Sequence, residues 1–77
     1  MTLDKHIIKG IPPFRVKTCN AQRFEDLMIQ AGYQKSGSGQ GKGGRIKVWW
    51  AHPTHGLVEA IYTGDKQTVI TAYPTSP

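Results

Sequence analysis

A chain of 77 residues with a single cysteine, ten Lys or Arg against five Asp or Glu, and a net charge of +5 has room for one domain with a thin core, since a chain this short buries only about 60% of the surface its unfolded form exposes. Cys19 alone excludes an intrachain disulfide and a multi-cysteine zinc site. The positive balance favours a phosphate backbone or an acidic protein as partner, while every apolar run falls far short of the roughly 20 residues of a membrane span.

Residues 1 to 13 mix charge with Ile7, Ile8 and Ile11 and end at Pro12-Pro13, which fixes an extended backbone and forbids a helix there. The stretch from Met1 to His6 has no signal-peptide apolar middle, so the expectation is a cytosolic site of action and no membrane partner. A toxin module released from a larger secreted protein has the same composition, which leaves export by another route open. Phe14 to Thr18 alternates apolar with polar and predicts a short edge strand. Asn20 is a helix N-cap candidate, and Phe24, Leu27, Met28 and Ala31 follow on one helical face, with Gly32 as the stop.

Five glycines between Ser36 and Gly44 predict a flexible loop over residues 36 to 44. It is not a Walker loop, because Ser36 and Gly43 stand where that motif needs Gly and Ser or Thr. With Lys35, Lys42 and Arg45 it reads instead as a hairpin connection or a basic flap over a nucleic-acid backbone. Arg45 to His52, Gly56 to Thr63 and Gln67 to Tyr73 are three strand-like runs separated by good turn chemistry. The expected fold is a single α+β domain over residues 1 to 77, with one main helix packed on a small antiparallel sheet of three to four strands. A three-residue loop at Gly64-Asp65-Lys66 puts Val58, Ala60 and Tyr62 on the core face with Thr68, Ile70 and Ala72. It also puts Glu59 across from Thr71 and Tyr73 near Leu57 on the other face, a polar cluster where chemistry is expected.

Trp49-Trp50 sends one indole to each face of its strand. Trp50 then belongs to the core, and Trp49, on the parity of Arg45 and Lys47, is either a base-stacking platform flanked by positive charge or a residue packed under a loop. His52 and His55 flank a turn. Two imidazoles can divide the base and acid roles of RNA cleavage, bind a metal weakly, or be structural. Cys19 reads as a small buried thiol rather than a nucleophile.

The stretch from His55 to Ala60 and the stretch from Lys66 through Thr71-Ala72-Tyr73-Pro74 resemble the closing strands of bacterial polymorphic-toxin ribonuclease domains of the barnase, EndoU, colicin and RelE class, over about the last 30 residues. The order of helix, Gly32-Tyr33 and three strands is also similar to the small mRNA-cleaving HicA toxins. These resemblances imply a metal-independent endoribonuclease without cofactor. His52 or His55 would serve as base or acid, Arg45 or Lys47 would stabilise the phosphate, and Thr71 and Tyr73 would position it. They further imply an acidic antitoxin or immunity protein as a partner besides RNA. Lys35, Lys42 and Trp49 complete the expected RNA-binding set. The alternative function is a non-catalytic interaction or inhibitor protein of phage or plasmid type, whose basic face docks on an acidic protein or a nucleic-acid site.

Overall fold

The computed structural model describes residues 2 to 75. One ten-residue helix, α1 (Ala21–Gln30), packs on a five-stranded antiparallel sheet built from β1 (Cys19–Asn20), β2 (Gln34–Gln40), β3 (Ile46–His52), β4 (Gly56–Tyr62) and β5 (Thr68–Thr75). The strands lie in the order β1-β5-β4-β3-β2. The α+β class and the helix-on-meander arrangement agree with the sequence, but the sheet has five strands rather than three to four. The surplus comes from two places: a two-residue β1 on one edge, and a full strand on the other where a loop was expected.

That second strand is the larger correction. Residues 34 to 40 pair with β3, Gly37 opposite Trp49 and Gly39 opposite Lys47, and the chain then turns through a short 3-10 segment at Lys42–Gly44. The run Ser36-Gly37-Ser38-Gly39-Gln40 has a strict period of two, the period of a strand. Its glycines all fall on one face, where the Trp49 ring needs the space. A Cβ on Gly39 would stand 3.3 Å from Trp49 Cη2, and one on Gly37 would stand 3.7 Å from Cε3.

The helix begins as expected. Asn20 Oδ1 accepts from the Gln22 and Arg23 amides at 2.9 and 3.2 Å, and Gly32, at φ +94°, closes it, with the Tyr33 amide donating back to the Met28 carbonyl at 2.9 Å. Ala21, Phe24 and Met28 are its buried face. Phe24 meets Trp50 and Tyr62 edge-on, at 6.2 and 6.3 Å between ring centroids, an arrangement that aromatic quadrupoles favour.

The expected strand over Phe14 to Thr18 does not form. Val16 is 51% exposed, and the amino-terminal segment instead crosses the fold as an irregular arm after a 3-10 turn at Leu3–Lys5, with Leu3, Ile8 and Ile11 buried in the core. The arm is held by hydrogen bonds from the Leu3 amide to the Lys17 carbonyl at 3.0 Å and from the Tyr33 hydroxyl to the Lys9 carbonyl at 2.7 Å. Pro12 and Pro13, just ahead of the expected strand, bring no amides to a ladder.

The last hairpin differs from expectation by a turn one residue longer, closed by the Thr63 amide on the Thr68 carbonyl, and by a bulge. Tyr62 pairs with Val69 and Ile61 with Thr71, so Ile70 is an extra residue and Glu59 comes opposite Tyr73 instead of Thr71. The core face is accordingly Val58, Ala60, Tyr62, Val69 and Ala72. The β4–β5 turn meets the β2–β3 turn closely enough that a Cβ on Gly64 would lie 2.7 Å from the Gly44 carbonyl oxygen. Gly64→Ala is therefore expected to push the two turns apart and cost about 1–3 kcal/mol, read as a lower urea midpoint.

Candidate nucleic-acid interface

Because α1 occupies one face of the sheet, side chains on the opposite parity form an open face. Lys47, Trp49, Glu59 and Tyr73 lie there, all half-buried. Trp49 Nε1 donates to Glu59 Oε1 at 2.9 Å on β4, while the six-membered ring reaches the other way over Gly37 and Gly39 of β2. The indole thus lies across three strands, tethered at its polar end. The Tyr73 hydroxyl donates to Glu59 Oε2, and Lys47 Nζ stands 3.9 Å from the same oxygen. The His6 ring packs against Tyr73 at 5.5 Å between centroids.

Three neighbours thus converge on one carboxylate. The Tyr73 hydrogen bond, followed by that from Trp49 and the charge of Lys47, holds the Glu59 carboxyl below its ordinary range against the opposing effect of burial. The same bond pushes the Tyr73 hydroxyl up. Both groups keep their usual neutral-pH forms, carboxylate and phenol, and the bonds fix the indole.

The other cations of the expected RNA-binding set divide between two places. Lys42 and Arg45 are exposed in the β2–β3 turn, at the end of the sheet where Lys47 emerges and where the Gly44–Gly64 approach brings in the turn carrying Lys66. Lys35 lies on the helix side, its Nζ 5.6 Å from the Trp50 ring centroid and 2.9 Å from Glu25 Oε2. Glu25 also accepts from the Tyr62 hydroxyl at 2.9 Å. Burial, with this bond next, drives the Tyr62 phenol far above its ordinary range.

The histidines sit elsewhere. His52 ends β3 on the parity of Val48 and Trp50, facing the helix. Its Nδ1 accepts from the backbone amides of Thr54 and His55 at 3.0 and 3.1 Å. Nε2 therefore carries the proton and donates to the Ala31 carbonyl at 3.0 Å, which places the ring across the helix C-terminus and the β3–β4 turn. His55 stacks on it at 4.1 Å, and Tyr33 lies 4.8 Å from the His52 ring. Both nitrogens of His52 are engaged with backbone. Thr71 pairs with Ile61 on the Tyr73 face but is only 5% exposed. The structure thus brings together Lys47, Trp49 and Tyr73, places Lys42 and Arg45 at their margin, and separates His52, His55 and Lys35 from them by the thickness of the sheet.

Three participants were given no role in the expected RNA-binding set. Gly37 and Gly39 were legible in their alternation, and Glu59 was expected in a polar cluster on this face but not as the tether of Trp49, a role given by its direct pairing across β3 and β4. Among the described residues no group of three His, Cys, Asp or Glu is placed to hold a metal ion, and no helix is long and apolar enough to cross a membrane. Burial raises the Cys19 thiol above its ordinary value, as befits a packing residue.

Two measurements check this account. His52→Ala should destabilise the fold by about 1–3 kcal/mol through the backbone groups it leaves unpaired, a larger loss than for His55→Ala, in urea titrations followed by circular dichroism. A carboxyl lowered by native contacts contributes stability that is complete above its unfolded-state value and is lost as pH falls through the folded-state value. Wild type should therefore lose stability on acidification below the ordinary glutamate range, and Glu59→Gln should flatten that part of the stability profile. No family model matches the chain, and no match is found among curated proteins or solved structures, so the reading of this surface rests on its own geometry.

Proposed function

We propose that the chain is a small single-stranded RNA-binding domain that stacks an unpaired base on Trp49 and follows the adjoining phosphates with Lys47, Arg45 and Lys42. The observation that carries this reading is the posture of Trp49: its indole is tethered through Nε1 to Glu59 on one side and its Cε3–Cη2 edge packs against Gly37 and Gly39 on the other, so the ring is held at both edges across the sheet while it remains half-buried. A prepositioned ring loses little freedom when a base stacks on it, and base–aromatic stacking contributes about 1–3 kcal/mol per base. The cations along one end of the same sheet supply the electrostatic component that dominates nucleic-acid affinity. Single strands suit this surface better than duplexes, whose bases offer no free face to a flat sheet.

Binding, rather than cleavage, is the activity proposed. Endoribonuclease chemistry by the His52 pair would need a ring nitrogen free to exchange a proton with RNA, and a substrate bound on the Trp49 face lies on the far side of the sheet from both histidines. A cleavage reading finds its support instead in the Glu59–Tyr73–Lys47 cluster, where a carboxylate and a cation flank the proposed path of the backbone.

Fluorescence anisotropy with a labelled single-stranded RNA tests the proposal. Trp49→Ala should weaken binding by about 1–3 kcal/mol, and Gly39→Val, which lifts the ring, should weaken it more than Gly37→Ala. Replacing Lys42, Arg45 and Lys47 together should reduce the slope of log affinity against log salt by about 2. The RNA should remain intact in EDTA. Cleavage by the wild type that disappears in Glu59→Gln would replace the binding function with an endoribonuclease, and equal affinity of wild type and Trp49→Ala would remove the stacking platform.

A further inference from the structure

The outer edge of β2 is open. β2 pairs only with β3, and its residues are exposed throughout except for half-buried Gly39. Proteins ordinarily guard such an edge with lysines, prolines, inward charges or bulges. Here Lys35 and the bulge between Lys35 and Gly37 guard one end, while Gly37 to Gln40 runs in regular register with neither charge nor proline.

Beside this unguarded stretch, on the helix side, lies a recess of about 270 Å3. Ile46, Val48 and Tyr62 supply apolar surface, and Lys35 and Lys66 stand at its margin. Its one acid, Glu25, is already occupied by Lys35 and the Tyr62 hydroxyl. Lys66, exposed and held at φ +64° in the β4–β5 turn, makes no ion pair with a described residue. The recess therefore offers an apolar surface and one uncommitted cation along a backbone edge.

We infer that the β2 edge binds an extended acidic segment of a partner protein by strand addition. Main-chain hydrogen bonds to Gly37 through Gln40 would hold the segment, one of its apolar side chains would enter the recess, and an Asp or Glu two positions away on the same face would meet Lys66. Charge complementarity selects this occupant over a second copy of the chain. Two copies each carry +5, and the β2 side chains on the helix-side parity, Ser38 and Gln40, bring neither an apolar group nor a carboxylate to the recess. This surface adjoins the proposed RNA-binding face along β2 but uses the strand's outer backbone edge and the helix side, so the fate of either proposal leaves the other standing.

The test uses the full chain and a short fluorescein-labelled peptide alternating Thr with Glu and Leu, beside the same peptide with Lys for Glu and one N-methylated at alternate amides. The acidic peptide should bind and slow amide exchange at Gly37 to Gln40. The basic and N-methylated peptides should fail, Lys66→Glu should weaken binding about fivefold, and Ser38→Lys, an exposed change that blocks the recess, should abolish it. Equal binding of the acidic and N-methylated peptides would overturn strand addition. Concentration-dependent dimerisation protecting the same amides, with no response to the peptide, would assign the edge to a second copy instead, and absence of both would leave it a solvated edge and refute the proposal.

Discussion

Burying Trp50 commits Trp49. The Trp50 side chain is 1% exposed, wedged against Phe24 of the only α-helix in the described residues, and the alternation of a strand leaves its neighbour no choice but the opposite face. With ten α-helical residues among those described and an irregular arm whose His6 packs on Tyr73, the chain has no second helix to lay over the far face around Trp49. A second large indole there would ordinarily be a solubility problem. Here one edge of it packs against glycines, and its nitrogen is bonded to a carboxylate. The posture of Trp49 and the glycines of β2 are thus consequences of the packing of Trp50.

What could be read from the sequence divides along physical lines. The helix was legible because its signals are local: Asn20 caps, Phe24 and Met28 recur at helical spacing, and Gly32 stops it. The three central strands were legible because aromatic and β-branched residues alternate between turns. β2 was misjudged because glycine content was weighed as flexibility, although its alternation with Ser and Gln carried a period of two. The partner that gives those glycines their purpose lies on the next strand, where a composition count does not look. The two-residue β1 and the Leu3–Lys5 turn have no periodic signal, and only tertiary packing defines them.

The candidate site shows the same division at the scale of single residues. That Lys47 and Trp49 share a face follows from parity alone. That Tyr73 comes opposite Glu59 does not, because it depends on the longer turn and on Ile70 bulging out of β5. The histidine pair shows how little adjacency alone decides among the roles open to two imidazoles. Two imidazoles at a turn suggest proton transfer, yet the Thr54 and His55 amides converge on one nitrogen of His52 and the Ala31 carbonyl takes the other. The ring acts as a clasp between the end of the helix and the β3–β4 turn, fixing the orientation of α1 over the sheet and hence which parts of the sheet stay uncovered.

The two edges of the sheet are unlike, and the asymmetry limits what the molecule can build. Along β5, pairing with β1, the Leu3–Lys5 turn packed against the strand and the missing amide of Pro74 leave little for another strand to grip. Growth of the sheet is therefore possible in one direction only. Two copies joined at β2 would each turn the covered β5 edge outward, so such pairing would close after a single step, and the arm that looks least ordered in the sequence is what denies the sheet a second open edge.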